Sequence, residues 1–257
     1  MKFNGRNVYI SGKAKIGQNV RIGDNSSIYD NVQIGDNSFI CNDCVIGEPL
    51  ASYYNDADYV NPPTVIGPDS LIRSHSIIYA GCTIAACFST GHRVTVRENC
   101  SIGEHCSIGT MCDIQGNVRI GKYCRLHSSV HISQKSSLGD FVFLYPFSVM
   151  TNDPYPPSLD TQGGHLGDYT QIGVHAVILP GVHVGENCLV AANSVVTKTV
   201  PDFSLVKGDP ARIVTDIRKY VVIGRGKPYP WMRRFNRGMP WEALGFDNWI
   251  QRQSPKK

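Results

Sequence analysis

Aliphatic residues recur along this chain every six positions. Ile10, Ile16, Ile22, Ile28, Ile34, Ile40 and Ile46 form an unbroken series. A second series starts at Ile66 and runs through Ile72, Ile78 and Ile84 to Met150, broken only at Thr90. A third runs Leu166, Ile172, Ile178, Val184, Val190 and Val196. Two positions before each aliphatic sits a smaller side chain, as at Val8, Ala14, Val20, Ser26, Val32, Ser38 and Cys44. Alternation along a strand points residues i and i−2 to one face, so both positions are predicted to face inward. Six is not a helical period. It predicts a short strand and a corner, three of which close a triangle of eighteen residues. Glycine often follows the aliphatic (Gly17, Gly23, Gly35, Gly103, Gly121), and it is expected to relieve the strain of a sharp turn. Stacked triangles make a parallel β-helix rising ~4.8 Å per coil, and the hexads suffice for about nine coils.

The two slips in the period predict insertions at 47–65 and 151–165. The first is aromatic and acidic (Tyr53, Tyr54, Asp56, Asp58, Tyr59), suited equally to lining a cleft or covering an edge. The second is rich in proline and polar groups. Composition shifts near residue 215. Residues 216–257 hold ten Lys/Arg against three Asp/Glu and all three tryptophans, which predicts a basic extension at 215–257 beyond a helix spanning 1–214. The run from Tyr229 to Trp241 interleaves aromatics with arginines. It is expected to cap the open end of the coil or pack in a trimer, ahead of contacting a ligand, with nucleic acid a distant third. A net charge of +4 is too small to imply nucleic-acid binding by the whole chain. No apolar run is long enough to span a membrane, and the first seven residues contain no apolar stretch, so a cytoplasmic location is expected.

Seven of the nine cysteines (Cys44, Cys82, Cys100, Cys106, Cys112, Cys124, Cys188) fall on the small inward position. They are expected to be buried hydrophobes rather than disulfides or metal ligands. Among the histidines, His131 precedes the inward Ile132 and so points outward. Asp113 lies eighteen residues earlier, one coil away. A carboxylate beside an imidazole orients it, which is the arrangement a general base needs. His127 and His165 are second and third choices for that role.

The hexads from Asn7 to Val214 resemble the hexapeptide-repeat acyltransferases. The resemblance implies an all-β, left-handed parallel β-helix and a homotrimer, whereas crossover connections in general favour the right hand. The run Leu138-Gly139-Asp140-Phe141-Val142-Phe143-Leu144, followed by Val149-Met150-Thr151-Asn152-Asp153, is similar to N-acetyltransferases acting on dTDP- or UDP-linked amino sugars, most of all dTDP-3-amino-3,6-dideoxyhexoses. It implies that Asn152 lies at the sugar's amino group. The family's glutamate one coil earlier is here Gln134, which hydrogen-bonds but takes no proton. Residues 172–214 resemble the family's coenzyme-A end, with Ala192, Lys198, Lys207 and Arg212 at the coenzyme positions. Acetyl-CoA is the implied co-substrate, and a nucleotide-linked amino sugar feeding a surface glycan is the implied partner. The alternatives are an O-acetyltransferase, an acyltransferase using acyl carrier protein (which the first insertion resembles), a trimeric zinc lyase and a non-catalytic scaffold. No metal is expected.

Overall fold

In a computed structural model, which describes residues 5–220 and 231–253, each hexad becomes one strand of two to four residues. The strands stack into three parallel sheets, the flat faces of a triangular prism. Face A holds ten strands, from Tyr9–Ile10 to Val195–Val196; face B holds nine, from Lys15–Ile16 to His183–Val184. Face C reaches eleven because Ser204–Gly208 and the antiparallel Ala211–Asp216 extend it past the last hexad, further than the nine coils expected. Register holds from coil to coil apart from irregularities at Ile78–Tyr79 and, in the terminal hairpin, at Leu205–Val206. Asp113 pairs with His131, and Ile114 with Ile132.

The inward aliphatics form one continuous core. Ile28, Ile40, Ile46, Ile72, Ile78 and Ile114 are fully buried. Thr90 also points inward, and its hydroxyl accepts the Arg73 N–H at 2.8 Å, so the break in the aliphatic series leaves no unsatisfied polar group. At the first described coil Ile10 and Ile16 remain 44% and 37% exposed. The seven inward cysteines are buried free thiols. Burial pushes the Cys44 and Cys112 thiols up to about 11, so they stay protonated and unreactive at neutral pH.

The corners correct one expectation. The residue that turns the chain sits three before each aliphatic and is rarely glycine. Asn19, Asn25, Asn31 and Asn37 have φ between 56° and 61°. Among residues with a side chain, asparagine adopts this region with least strain, and successive coils bond through it, as in Asn7 Nδ2 to Asn25 Oδ1 at 3.2 Å. In later coils the same position carries His105, Tyr123, Phe141 and Tyr169, whose rings stack at 4.6–5.3 Å. The glycine after the aliphatic serves another purpose. It follows eight of the nine face-B strands, and its φ is not positive. A Cβ on Gly103 would lie 2.7 Å from the Gly121 carbonyl carbon of the next coil, backbone that has no room to yield. Gly103→Ala should therefore cost roughly 1–3 kcal/mol by overpacking. Urea denaturation reads this directly, and an unshifted midpoint would show that the coils can spread.

Both insertions leave the corner between faces A and B. Of the tail, Thr215 and Asp216 pair with Leu205 and Ser204 at the end of face C. Residues 231–253 instead lie along the flank of face C, where Trp231, Met232, Met239 and Trp241 pack with Phe141 and Phe143. The reason is local. Face C turns Phe143 outward, and the adjoining corner carries the aromatic ladder. Together they offer apolar area that a straight run of coils has no other means to bury. Trp231 Nε1 donates to the Tyr169 carbonyl at 3.0 Å, and the helix Phe246–Gln253 brings Trp249 against Trp241. Tyr229 and Pro230 lie outside the described residues. Among the described residues, no helix is long and apolar enough to cross a membrane.

Candidate active site

Strand register alone brings His131 onto Asp113. On face A their side chains meet with His131 Nδ1 3.1 Å from Asp113 Oδ2. Both remain partly exposed, at 34% and 45%. The carboxylate fixes the ring and favours the tautomer whose Nε2 carries a lone pair. Nε2 has no protein partner among the described residues, so it is free to accept a proton from a bound molecule.

Two residues past Ile132 and Met150, at the A–B corner, lie Gln134 and Asn152 on successive coils. The strand register stacks these two corners as the eighteen-residue spacing predicts. The structure records no hydrogen bond between the two carboxamides among the described residues. Asn152 is held by its backbone, its carbonyl accepting the Gln162 N–H at 2.8 Å. Its own side chain is left without a partner inside the described chain and half-exposed. The insertion beyond it is ordered by Asp153, which accepts from Tyr155 N and from Ser158 N and Oγ; the Ser158 hydroxyl holds its carboxyl below the usual range.

The other histidines lie elsewhere. His127 follows Leu126 at the corner between faces C and A, stacked on Tyr145 at 5.0 Å with the rings nearly parallel. Burial, and then Arg125, lowers its pKa, so it is neutral at pH 7. His165 is on face B, with Nδ1 2.6 Å from Ser137 Oγ and its ring 4.3 Å from that of His183. Burial, and then His183, lowers it too. Among the described residues, no group of three His, Cys, Asp or Glu side chains could hold a metal ion.

The coenzyme candidates divide. Lys207 follows Val206 and aligns, coil by coil, with Ala191, Gly173, Tyr145 and His127 along the C–A corner. Arg212 pairs with Lys207 across the terminal hairpin, and Ala192 lies one residue further round. Small residues at Gly173 and Ala191 leave this corner open for about 10 Å between Tyr145 and Lys207, allowing ~4.8 Å per coil. Lys198 is on a different edge, at the A–B corner in line with Asn152. Within one chain it does not join Lys207 and Arg212.

Sequence reasoning missed a cleft of about 630 Å³ between the tail and face C, lined among others by Arg125, His127, Tyr145, Gln171, Trp231 and Arg234. The aromatic and arginine content of the tail was its only signal in the sequence.

These features define a parallel β-helix with a polar site on one face and an extended corner beside it. The profile of the bacterial transferase hexapeptide family, in its six-repeat form, matches residues 13–48, 99–134 and 163–198. The likeness to that family holds over these three segments of the coil. It is 30% identical over 111 residues to the galactoside O-acetyltransferase of Escherichia coli K12, covering 39% of this chain and 55% of that one. It is 29% identical over 101 residues to a chloramphenicol acetyltransferase of Klebsiella aerogenes, covering 36% and 48%. The chain thus spans about half the length of these curated relatives, and matches others over as little as 27% of theirs. Among solved structures it is similar to the UDP-N-acetylglucosamine acyltransferase of Bacteroides fragilis (20% identity, TM-score 0.47, 83% of this chain and 74% of that). It is also similar to a GDP-perosamine N-acetyltransferase of Caulobacter crescentus (22% identity, TM-score 0.39, 57% of each).

Proposed function

We propose that this protein is an acetyl-CoA-dependent acetyltransferase that acylates an amino group on a nucleotide-linked sugar. The observation that carries this reading is the Asp113–His131 pair, open to solvent on face A and flanked on the next corner by the carboxamide of Asn152, which has no hydrogen-bond partner among the described residues. The two curated relatives described above, both acetyltransferases, support the reaction class. The sequence run ending in Asn152-Asp153 supports the amine acceptor.

Acetyl transfer requires a neutral nucleophile, a stabilised oxyanion and in-line placement of the two substrates. His131 Nε2 takes a proton from the acceptor amine as its nitrogen attacks the thioester carbonyl. Asp113 stabilises the imidazolium that results. Collapse of the tetrahedral adduct breaks the carbon–sulfur bond, and the proton passes from His131 to the leaving thiolate. Asn152 hydrogen-bonds the acceptor and orients the amine; Gln134 offers a second such contact without titrating. Coenzyme A fits the C–A corner. Gly173 and Ala191 leave room for an extended arm, and Lys207 and Arg212 stand where phosphates would lie.

Lys207→Ala should raise the KM for acetyl-CoA about fivefold, the ~1 kcal/mol of an exposed ion pair, with little change in kcat. An equal effect of Lys198→Ala would mean that the coenzyme touches two copies of the chain, as in a homotrimer. An unchanged KM in Lys207→Ala would move the coenzyme off this corner. The reaction itself is tested by incubating the protein with acetyl-CoA and a panel of amino- and hydroxy-sugar nucleotides and weighing the products. Acetylated amino sugars support the proposal. Acetylated hydroxy sugars alone would favour the O-acetyltransferase reading, to which the galactoside relative points. No product with any acceptor would count against both.

A further inference from the structure

We propose that Glu98 sets the acceptor specificity of the site: its carboxylate accepts a hydrogen bond from the ring hydroxyl next to the reacting amine, so the acceptor is a sugar carrying an amino group and a hydroxyl on neighbouring carbons. The inference rests on the function proposed above for the reacting amine, and it narrows the class of acceptor.

Strand register places Glu98 in the site's own column. Val96 pairs with Ile114, Ile114 with Ile132, and Ile132 with Met150. Two residues past each, at the A–B corner, stand Glu98, Gly116, Gln134 and Asn152, one per coil. Gly116 has no side chain to put into this column, and Glu98 uses the space. A Cβ on Gly116 would lie 2.9 Å from the Glu98 carboxyl carbon and 3.3 Å from its Cγ. The side chain therefore does not extend into solvent. It runs along the corner to the next coil, covers the buried Gly116 and keeps only 17% of its own surface exposed. Its carboxylate stands level with Gly116, on the coil of Asp113 and one coil short of Gln134 and His131.

The carboxylate is held in place from the other side. Arg97 Nε donates to Oε2 at 2.8 Å, and Arg97 Nη2 donates to Oε1 at 3.3 Å. The same guanidinium lies 5.1 Å over the Tyr79 ring. A carboxylate braced in this way keeps a fixed direction, and each oxygen retains a lone pair for a further donor.

Distance and charge decide what that donor is. The amine gives its proton to His131, so it lies at that coil. The Glu98 carboxylate is one coil away, ~4.8 Å along the axis. A hydrogen bond spans only about 3 Å, so the carboxylate does not share the reacting nitrogen and instead meets a group on the next ring carbon. Arg97 already compensates the carboxylate at both oxygens, which leaves no surplus negative charge to draw an ammonium. A neutral hydroxyl donates to an ionised oxygen without bringing charge. Between the two levels lies Gln134. Its carboxamide has no hydrogen-bond partner among the described residues and can serve either substituent. A side chain needed only to cover Gly116 requires neither a charge nor an arginine to hold it.

The test is steady-state kinetics of the full chain with acetyl-CoA and the amino-sugar nucleotide from the panel above that gives most product. Analogues of it lacking each hydroxyl next to the amine are run beside it. In the parent, loss of one of these hydroxyls should lower kcat/KM about tenfold, as for a lost hydrogen bond to a charged group. Glu98→Met still reaches over Gly116. It should lower kcat/KM for the complete acceptor about tenfold and leave that deoxy analogue as the parent has it, because both changes remove one contact. Glu98→Gln keeps one acceptor oxygen and should recover part of the loss. The KM for acetyl-CoA should be the same in both variants and the parent, and thermal unfolding of each identifies a folding defect. A loss shared equally by the complete acceptor and its analogues, or a Glu98→Met variant with the parent's kcat/KM, overturns the proposal while leaving acetyl transfer to an amine standing. A parent that acetylates no amino sugar strikes at the function proposed above, and the proposal falls with it.

Discussion

His131→Asn should lower kcat by at least about 100-fold, the lower bound for loss of a positioned general base. Asparagine is close in size and can still donate to Asp113, so the face-A strand His131–Ile132 keeps its register and the melting temperature should move little. The diagnostic readout is chemical rescue: added imidazole should restore part of the variant's rate and leave the parent's unchanged. Asp113→Asn should produce a smaller loss, because the ring would keep its place but lose the charge that stabilises its protonated form. A variant that keeps the parent's rate would transfer the base role to His127, the second choice, or leave catalysis to positioning alone.

Asn152→Ala should lower kcat/KM for the acceptor by about 100-fold, on the scale of a misplaced reacting group, while the KM for acetyl-CoA stays within about twofold. Stability should change by less than about 0.5 kcal/mol, as for a surface side chain with no internal partner. The structural reason is specific. The Asn152 backbone is tied to Gln162, whereas its carboxamide bonds to nothing among the described residues. A large loss of stability together with activity would assign Asn152 to the insertion's folding rather than to the acceptor.

The coil was legible in the sequence because each inward position is occupied by one kind of residue. Ile10 to Ile46, Ile66 to Met150 and Leu166 to Val196 each became consecutive strands, with every inward aliphatic stacked on the next and an irregularity only beside Ile78, at Tyr79. The stacking of Asp113 on His131 followed from the same arithmetic, since eighteen residues are one turn. Three things did not follow from it. The period identifies a corner but not its type: Asn19 makes the turn that glycine was expected to make, and Gly103 instead clears the neighbouring coil. The period also gives no indication of which edge of the prism a residue beyond the last hexad will reach. Lys198, still within the hexads, faces the A–B corner, while Lys207 and Arg212, past them, return to the C–A corner. Finally, the tail has no repeat to set its position. Its contacts depend on outward aromatics such as Phe141 and Phe143, whose significance appears only when Trp231 and Trp241 are seen against them. The cleft with Gln171 follows from that packing, and no spacing in the chain foretells it.

The account stands on a thioester donor held at the C–A corner. Calorimetric titration of acetyl-CoA into the purified protein tests this most directly. The account predicts saturable binding, one coenzyme per chain, weakened by Lys207→Ala and by Arg212→Ala and unaffected by Asn152→Ala. Absence of acetyl-CoA binding, or binding indifferent to both cations, would contradict it and return acyl carrier protein donors and a non-catalytic scaffold to the foreground.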